Sequence, residues 1–137
     1  MIKINATKQE FVNMITGLYQ VQDIKGKEFS LVVSKNIDIL KTELQSLEDA
    51  ATPSEEFMVI AREVNQLTNT EGEEAKSKID KLEEENKELV ESRRVQMEKV
   101  KKMMDEKIEV ELNVIEENIL PEDVTAKQIN GIIKLIK

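Results

Sequence analysis

The chain contains no cysteine, no histidine and no tryptophan, and it has only one tyrosine and three phenylalanines among its 137 residues. Without cysteine, disulfide bridges and thiolate ligands for zinc are excluded. Without histidine and cysteine, the chain lacks the side chains that most often act as general base or nucleophile near neutral pH. We therefore do not expect an enzyme, and we expect no metal and no cofactor.

Charge is what the sequence has in abundance. Charged residues make up 35% of the chain, and 28 acidic against 20 basic side chains give a net charge of −8. This balance opposes binding to the phosphates of nucleic acid and to anionic lipid. No apolar run reaches the roughly 18 residues of a membrane-spanning helix, and the N-terminus has no signal-peptide pattern. We therefore expect a soluble, intracellular protein that does not bind membranes.

The first third of the chain predicts a short strand followed by two helices. Ile2-Lys3-Ile4 alternates apolar and polar residues, which is typical of an edge strand. Thr7 and Glu10 have the spacing of a capping box and predict the start of the first helix. A second helix is predicted from about Glu28 to Leu47, because its apolar residues fall on one face.

Two capping patterns predict the helices of the central region. Thr52-Pro53-Ser54-Glu55 places threonine at the N-cap and proline at the first helical position. Thr70 begins another capping pattern, and the segment that follows its glycine has no further proline or glycine as far as Lys107. At about 1.5 Å per residue, this segment predicts an uninterrupted helix of roughly 50 Å. Its seven-residue apolar repeat is strict only from Ile79 to Leu89, which favours a hairpin or short bundle over a long zipper.

The sequence pattern changes again after the long helix. Apolar and polar residues alternate from Ile108 to Val114, which predicts a second strand. Its natural partner is Ile2–Ile4, because a lone strand leaves backbone groups unpaired. Thr125 then caps a last short helix, with a glutamine at the capping-box position.

These elements predict a mainly helical α+β fold. Residues 1–68 and 108–137 are expected to form a discontinuous helical head with a minimal two-stranded β ribbon. Residues 69–107 are expected to form a long, charged helix that projects from the head as a helical hairpin or a short coiled coil.

The long helix is electrically asymmetric, because acidic residues dominate its first half and basic residues its second half. This arrangement complements the helix dipole and solvates an exposed face. It is also suited to antiparallel pairing of two copies, in which acidic and basic halves meet. The candidate interaction surface combines the apolar stripe with neighbouring cations, namely Leu82, Asn86, Leu89, Arg93, Arg94, Met97, Val100, Lys101 and Met104.

Other interpretations fit parts of the same helix. The basic cluster between Arg93 and Lys102 could hold phosphate, although no aromatic residue is interleaved with it for base stacking. The acidic run Glu83–Glu85 could instead mimic DNA and occupy a nucleic-acid-binding protein. Carboxylate pairs such as Glu84 and Glu88 would need burial or further ligands to serve catalysis or to hold Mg²⁺.

Three segments carry a resemblance that spans most of the chain in order. They are the opening Ile2-Lys3-Ile4, the helix with Ser34-Lys35-Asn36, and the closing Leu120-Pro121-Glu122-Asp123-Val124-Thr125. Together they resemble an uncharacterised family of small proteins encoded by tailed bacteriophages of Gram-positive hosts. The resemblance implies a phage gene product that acts in the cytoplasm of the infected cell or in a virion. It carries over no activity and no site residues.

The sequence favours a non-catalytic protein that binds another protein through helical surfaces, in an accessory or scaffolding role in a virion or its assembly. The partner would be a second copy, with antiparallel pairing favoured, or a phage or host protein. The alternatives are an acidic inhibitor of a host defence or nucleic-acid enzyme, and a nucleic-acid-binding regulator. The dependence of binding on ionic strength distinguishes these interpretations, because electrostatic contacts weaken steeply as ionic strength rises and apolar helix contacts do not.

Overall fold

A computed structural model describes residues 1–69 and 72–137. Over these residues the chain is mainly helical with one two-stranded antiparallel sheet, which confirms the predicted α+β, mainly α, fold class. The predicted helix start at Thr70 lies outside the described residues. The described segments form two strands and seven α-helices: β1 Ile2–Thr7, α1 Lys8–Val21, α2 Lys27–Glu43, α3 Gln45–Ala51, α4 Glu55–Thr68, α5 Glu73–Glu85, α6 Lys87–Met104, β2 Lys107–Leu112 and α7 Ala126–Ile132.

The chain divides into two compact units. The first unit consists of Met1–Leu47 together with Lys102–Lys137, and it contains the sheet, α1, α2 and α7. The second unit is Glu48–Lys101, which contains α4, α5 and most of α6.

The two strands of the first unit pair as the alternating residues predict. β1 and β2 run antiparallel, with Ile2 opposite Leu112 and Thr7 opposite Lys107. Successive side chains of a strand point to opposite faces, and Val110 and Leu112 are the buried residues of β2. The ribbon therefore joins the N-terminal segment to the segment that follows α6.

The core of the first unit is built from the apolar faces of its helices. Phe11 and Leu18 of α1 and Phe29 and Leu40 of α2 are almost completely removed from solvent. In each helix these residues recur at the spacing of one face. The packing of α1 against α2 and α7 thus follows from the helical periodicity of the sequence.

Two predicted helix caps of this unit are confirmed. The Thr7 hydroxyl accepts a hydrogen bond of 3.2 Å from the Glu10 amide at the start of α1. At the start of α7, the Thr125 hydroxyl accepts from the Gln128 amide, and the Gln128 side chain accepts from the Thr125 amide. Both caps satisfy amides that have no partner inside the helix.

α1 and α7 approach each other closely at a pair of glycines. A Cβ added to Gly17 would lie 2.8 Å from the carbonyl carbon of Gly131, and it would lie nearer still to the carbonyl oxygen. Non-bonded carbon atoms normally stay about 3.5 to 4.0 Å apart. Because glycine has no Cβ, it allows the two helices to pack at this separation.

A buried asparagine takes over the hydrogen bonding where β2 ends. Asn36 of α2 is 0% exposed; its Nδ2 donates to the Asn113 carbonyl oxygen at 2.9 Å and its Oδ1 accepts from the Asn113 amide at 2.8 Å. The side chain thus pairs with the backbone of Asn113 much as a neighbouring strand would. The strand predicted to reach Val114 ends at Leu112 instead, because Asn113 bonds to Asn36 and not to β1.

Two predicted helix boundaries are wrong at α3 and α4. The helix predicted to reach Leu47 leaves the helical conformation at Leu44, where φ is −96° and ψ is 3°, and α3 follows. Ser54 rather than Thr52 caps α4, because the Ser54 hydroxyl accepts from the Phe57 amide at 3.2 Å. The Thr52 hydroxyl instead donates backwards to an α3 carbonyl oxygen, that of Glu48, at 2.9 Å.

The helix predicted to run uninterrupted to Lys107 is broken at Asn86 and ends at Met104. Asn86 has φ −115° and ψ 29°, and its Nδ2 donates to the Leu82 carbonyl oxygen at 2.9 Å. This side-chain bond competes with the backbone amide for the same oxygen. Helical bonding resumes at once, since the Val90 amide donates to the Asn86 carbonyl oxygen at 3.1 Å. α5 and α6 are therefore two successive helices.

Candidate interaction surface

The nine residues predicted as an interaction surface lie on α5, on α6 and at the break between them. They differ in how accessible they are. Arg94, Met97 and Lys101 are exposed, whereas Val100 is buried. The remaining five are half-buried: Leu82, Asn86, Leu89, Arg93 and Met104.

Arg93 is bound inside the second unit. Its guanidinium donates to the Ala51 carbonyl oxygen at 2.8 Å. Gln96, three residues later on α6, donates to the carbonyl oxygens of Ala50 and Thr52 at 2.7 Å each. Carbonyls at the end of a helix have no partner within that helix, and these two side chains supply one. Arg93 and Gln96 thus hold α6 against the connection between α3 and α4.

Arg94 is paired along its own helix. Its guanidinium bonds to the carboxylates of Glu91 and Glu98, which lie about one turn away on either side. The hydrogen bonds that Arg94 donates to the Glu91 carboxylate lower the pKa of Glu91 and raise the pKa of Arg94. Solvent-exposed pairs of this kind contribute little to stability. Lys101, by contrast, forms no ion pair within residues 1–69 and 72–137.

An open groove of about 690 Å³ runs between α4 and the α5–α6 pair. Its α4 side is largely apolar and includes Phe57, Ile60 and Val64, while Glu83 and Val90 contribute from the opposite side. The Arg93 guanidinium lies 5.8 Å from the centroid of the Phe57 ring, a cation–π contact that holds the ring in place. Its polar lining residues are Arg62, Asn65, Thr68 and Glu83. A groove of this volume that combines apolar walls with a few polar groups is typical of a binding site.

The second unit has a small apolar core. Of its described residues, Ile60, Ala75 and Val100 are the apolar ones that are buried. Small units bury a smaller fraction of their surface than large domains do and are correspondingly less stable. Four large apolar side chains of the unit remain exposed, namely Val59, Val90, Val95 and Met97.

The charge asymmetry predicted for one long helix is divided between two successive helices. α5 has six acidic and three basic residues, whereas α6 has three acidic and six basic residues. Glu83, near the end of α5, lines the groove and is exposed. Lys101, near the end of α6, is also exposed. An acidic helix is therefore followed directly by a basic one along the chain.

The described residues contain neither a metal cluster nor a membrane span. Glu84 and Glu88, the carboxylates considered for catalysis or Mg²⁺, are both exposed. Across 1–69 and 72–137, no group of three or more acidic side chains could hold a metal ion. In the same part of the chain, no helix combines the length and apolar composition that crossing a bilayer requires.

No protein-family model, no curated protein and no solved structure matches the chain.

The contribution of α4 to this surface was not predicted. The sequence does contain a signal for this face of α4, because Phe57, Ile60 and Val64 recur at helical spacing. The period predicts that one face of α4 is covered. It does not reveal that α5 and α6 cover the face only in part.

Proposed function

We propose that this protein is a non-catalytic interaction protein that binds a helical segment of another protein molecule in the groove between α4 and the α5–α6 pair. In the phage setting implied by the sequence resemblance, it has an accessory or scaffolding role in a virion or in virion assembly. It acts in the cytoplasm of the infected cell or in the virion itself.

The observation that carries this proposal is the open, apolar groove of the second unit. Amphipathic helices bind such grooves through side chains that recur every three, four and seven residues. Phe57, Ile60 and Val64 stand about one turn apart along α4, and Val90 faces them across the groove. They form an apolar strip about 10 Å long, which is the length of two turns of a bound helix.

The small core of the second unit supports the same function. Ile60, Ala75 and Val100 provide little buried apolar surface, while Val90 remains exposed in the groove and Met97 is exposed elsewhere on α6. A bound helix would cover such side chains and remove their apolar surface from water, which is favourable. Binding would therefore stabilise the second unit as well as the complex.

Replacing Val90 by aspartate is expected to reduce binding at least about tenfold, because the carboxylate would lose its hydration against the bound apolar side chains. Val90 is exposed in the free protein, so the fold should persist. Affinity capture from phage-infected cells, followed by mass spectrometry, measures how much partner is recovered. Val59→Asp is the matched control, because it places the same charge at an exposed valine of α4 that does not line the groove.

Equal recovery of the partner with Val90→Asp and Val59→Asp would contradict the proposal. Binding that survives Val90→Asp but disappears at raised ionic strength would also contradict it. That second pattern belongs to an electrostatic contact, as expected for an acidic inhibitor of an enzyme.

A further inference from the structure

We infer that the helix bound in this groove is α6 of a second copy of the chain, so that two copies pair in an antiparallel arrangement. The inference rests on the proposed function, because it names the occupant of the same groove. It assigns the contact to Met97 and Lys101 of one copy and to Glu83 and Val90 of the other.

Charge complementarity favours a second copy in the antiparallel orientation. α5 is predominantly acidic and α6 is predominantly basic. Antiparallel pairing places α5 of each copy beside α6 of the other, so that opposite charges meet at both ends of the contact. Parallel pairing would place α5 beside α5 and α6 beside α6, and like charges would repel at both ends.

The spacing of residues along α6 defines the register of this pair. Val90 and Met97 are seven residues apart and therefore lie on the same face of α6, about 10 Å from each other. Met97 is 43% exposed and is an apolar side chain that could enter an apolar groove. In the antiparallel pair, Met97 of the second copy inserts between Glu83 and Val90 of the first.

The same register brings a pair of opposite charges together. Residue numbers run in opposite directions along two antiparallel helices. The position four residues after Met97 in one copy therefore lies beside the end of the groove that Glu83 forms in the other copy. Lys101 of the second copy is therefore level with Glu83 of the first. Both side chains are exposed in the isolated chain and free to reach across the contact.

Two-fold symmetry makes the contact self-limiting. Each copy supplies one groove and one Met97, so both grooves are filled and the pair closes as a dimer. α4 and the α5–α6 pair of each copy then form the two layers of a four-helix bundle. This arrangement adds packing to the small core of the second unit.

Exchange of charges at Glu83 and Lys101 tests the pairing. Glu83→Lys and Lys101→Glu each place like charges opposite one another at both symmetric contacts. Each is expected to raise the dissociation constant of the dimer at least about tenfold. Mixing the two variants restores opposite charges at both contacts, so the mixture is expected to dimerise as the wild type does. Light scattering from low to high micromolar protein measures the mass, and circular dichroism checks that each variant is folded.

The outcomes separate the inference from the proposed function. A wild-type chain that remains monomeric at high micromolar concentration would overturn the inference. The proposed function would still stand if Val90→Asp removed the capture of a different protein. Tighter association of Glu83→Lys with the wild type than of the wild type with itself would also overturn the inference, because it indicates parallel pairing with Glu83 opposite Glu83.

The apolar half of the contact has its own matched pair of variants. Met97→Glu is expected to prevent dimerisation, because it would bury a carboxylate in the groove. Val95→Glu is the control, since Val95 is 53% exposed and lies two residues away on a different face of α6. Val95→Glu is expected to dimerise as the wild type does, and equal effects of the two variants would overturn the inference.

Discussion

Replacing Gly17 by alanine is expected to lower the free energy of unfolding by about 2 kcal/mol. The added Cβ would collide with the backbone of Gly131, lying 2.8 Å from its carbonyl carbon. No change of rotamer relieves the collision, because a Cβ position is fixed by the backbone. α7 must therefore shift away from α1, at a cost of about 3 kcal/mol for an overpacked contact. Alanine regains only about 1 kcal/mol through its higher helix propensity.

Chemical denaturation followed by circular dichroism measures this loss. Thr16→Ala is the matched control, because Thr16 is the exposed neighbour of Gly17 in α1 and its hydroxyl donates only to the Val12 carbonyl oxygen of the same helix. The control is expected to unfold within about 0.5 kcal/mol of the wild type. A Gly17→Ala variant as stable as this control would contradict the close approach of α1 and α7.

Replacing Asn36 by leucine is expected to lower the free energy of unfolding by about 3 kcal/mol, because it leaves both the amide and the carbonyl oxygen of Asn113 without their partner. The Asn36 side chain supplies both bonds, at 2.8 and 2.9 Å. It is fully buried, so water cannot easily replace it. Leucine has the same branched shape but is larger, and its apolar surface does not compensate for two unsatisfied backbone groups.

Asn113→Ala is the control for this prediction. It removes the longer bond of 3.2 Å from the Asn113 Nδ2 to the Asn36 Oδ1, and it leaves both backbone bonds in place. We expect it to cost less than about 1 kcal/mol. If the two variants lost equal stability in denaturant titrations, the pairing of Asn36 with the backbone of Asn113 would be refuted.

The features of the fold that depend on neighbouring residues were predictable from the sequence. The Thr7 and Thr125 caps form because a hydroxyl lies three residues before the amide that it satisfies, and this spacing is visible in the chain. The strand β2 was predicted because its apolar and polar residues alternate, and β1 was the available partner. The spacing of capping residues and the periodic alternation of apolar and polar residues therefore account for the fold class.

The features that depend on distant residues were not predictable. Nothing near Gly17 in the sequence indicates that Gly131 will pack against it. Asn36 gives no sign that it will bond to Asn113, because the two are brought together only when α2 packs on the end of β2. The helical period puts Asn86 on an apolar stripe, whereas in the structure its side chain bonds to Leu82 and interrupts the helix.

The sequence analysis placed the candidate surface on α5 and α6, but none of its nine residues is among those that line the groove. Met97 and Lys101 were identified from the stripe and charges of one helix, and both are exposed. Arg93 was included too, but the structure engages it with Ala51 inside the chain. The α4 side of the groove, including Phe57, was missed, because the groove arises from the packing of α4 on α5 and α6.

Amide hydrogen exchange tests most directly that the protein acts through the groove of its second unit. Exchange would be compared between the free chain at low concentration and the chain saturated with the partner recovered by affinity capture, or with itself at high concentration. Exchange is expected to slow in residues 57–68 of α4 and 90–97 of α6, and to remain unchanged in α1 and α7. Slower exchange confined to α1 and α7, or no change in α4 and α6, would contradict the account.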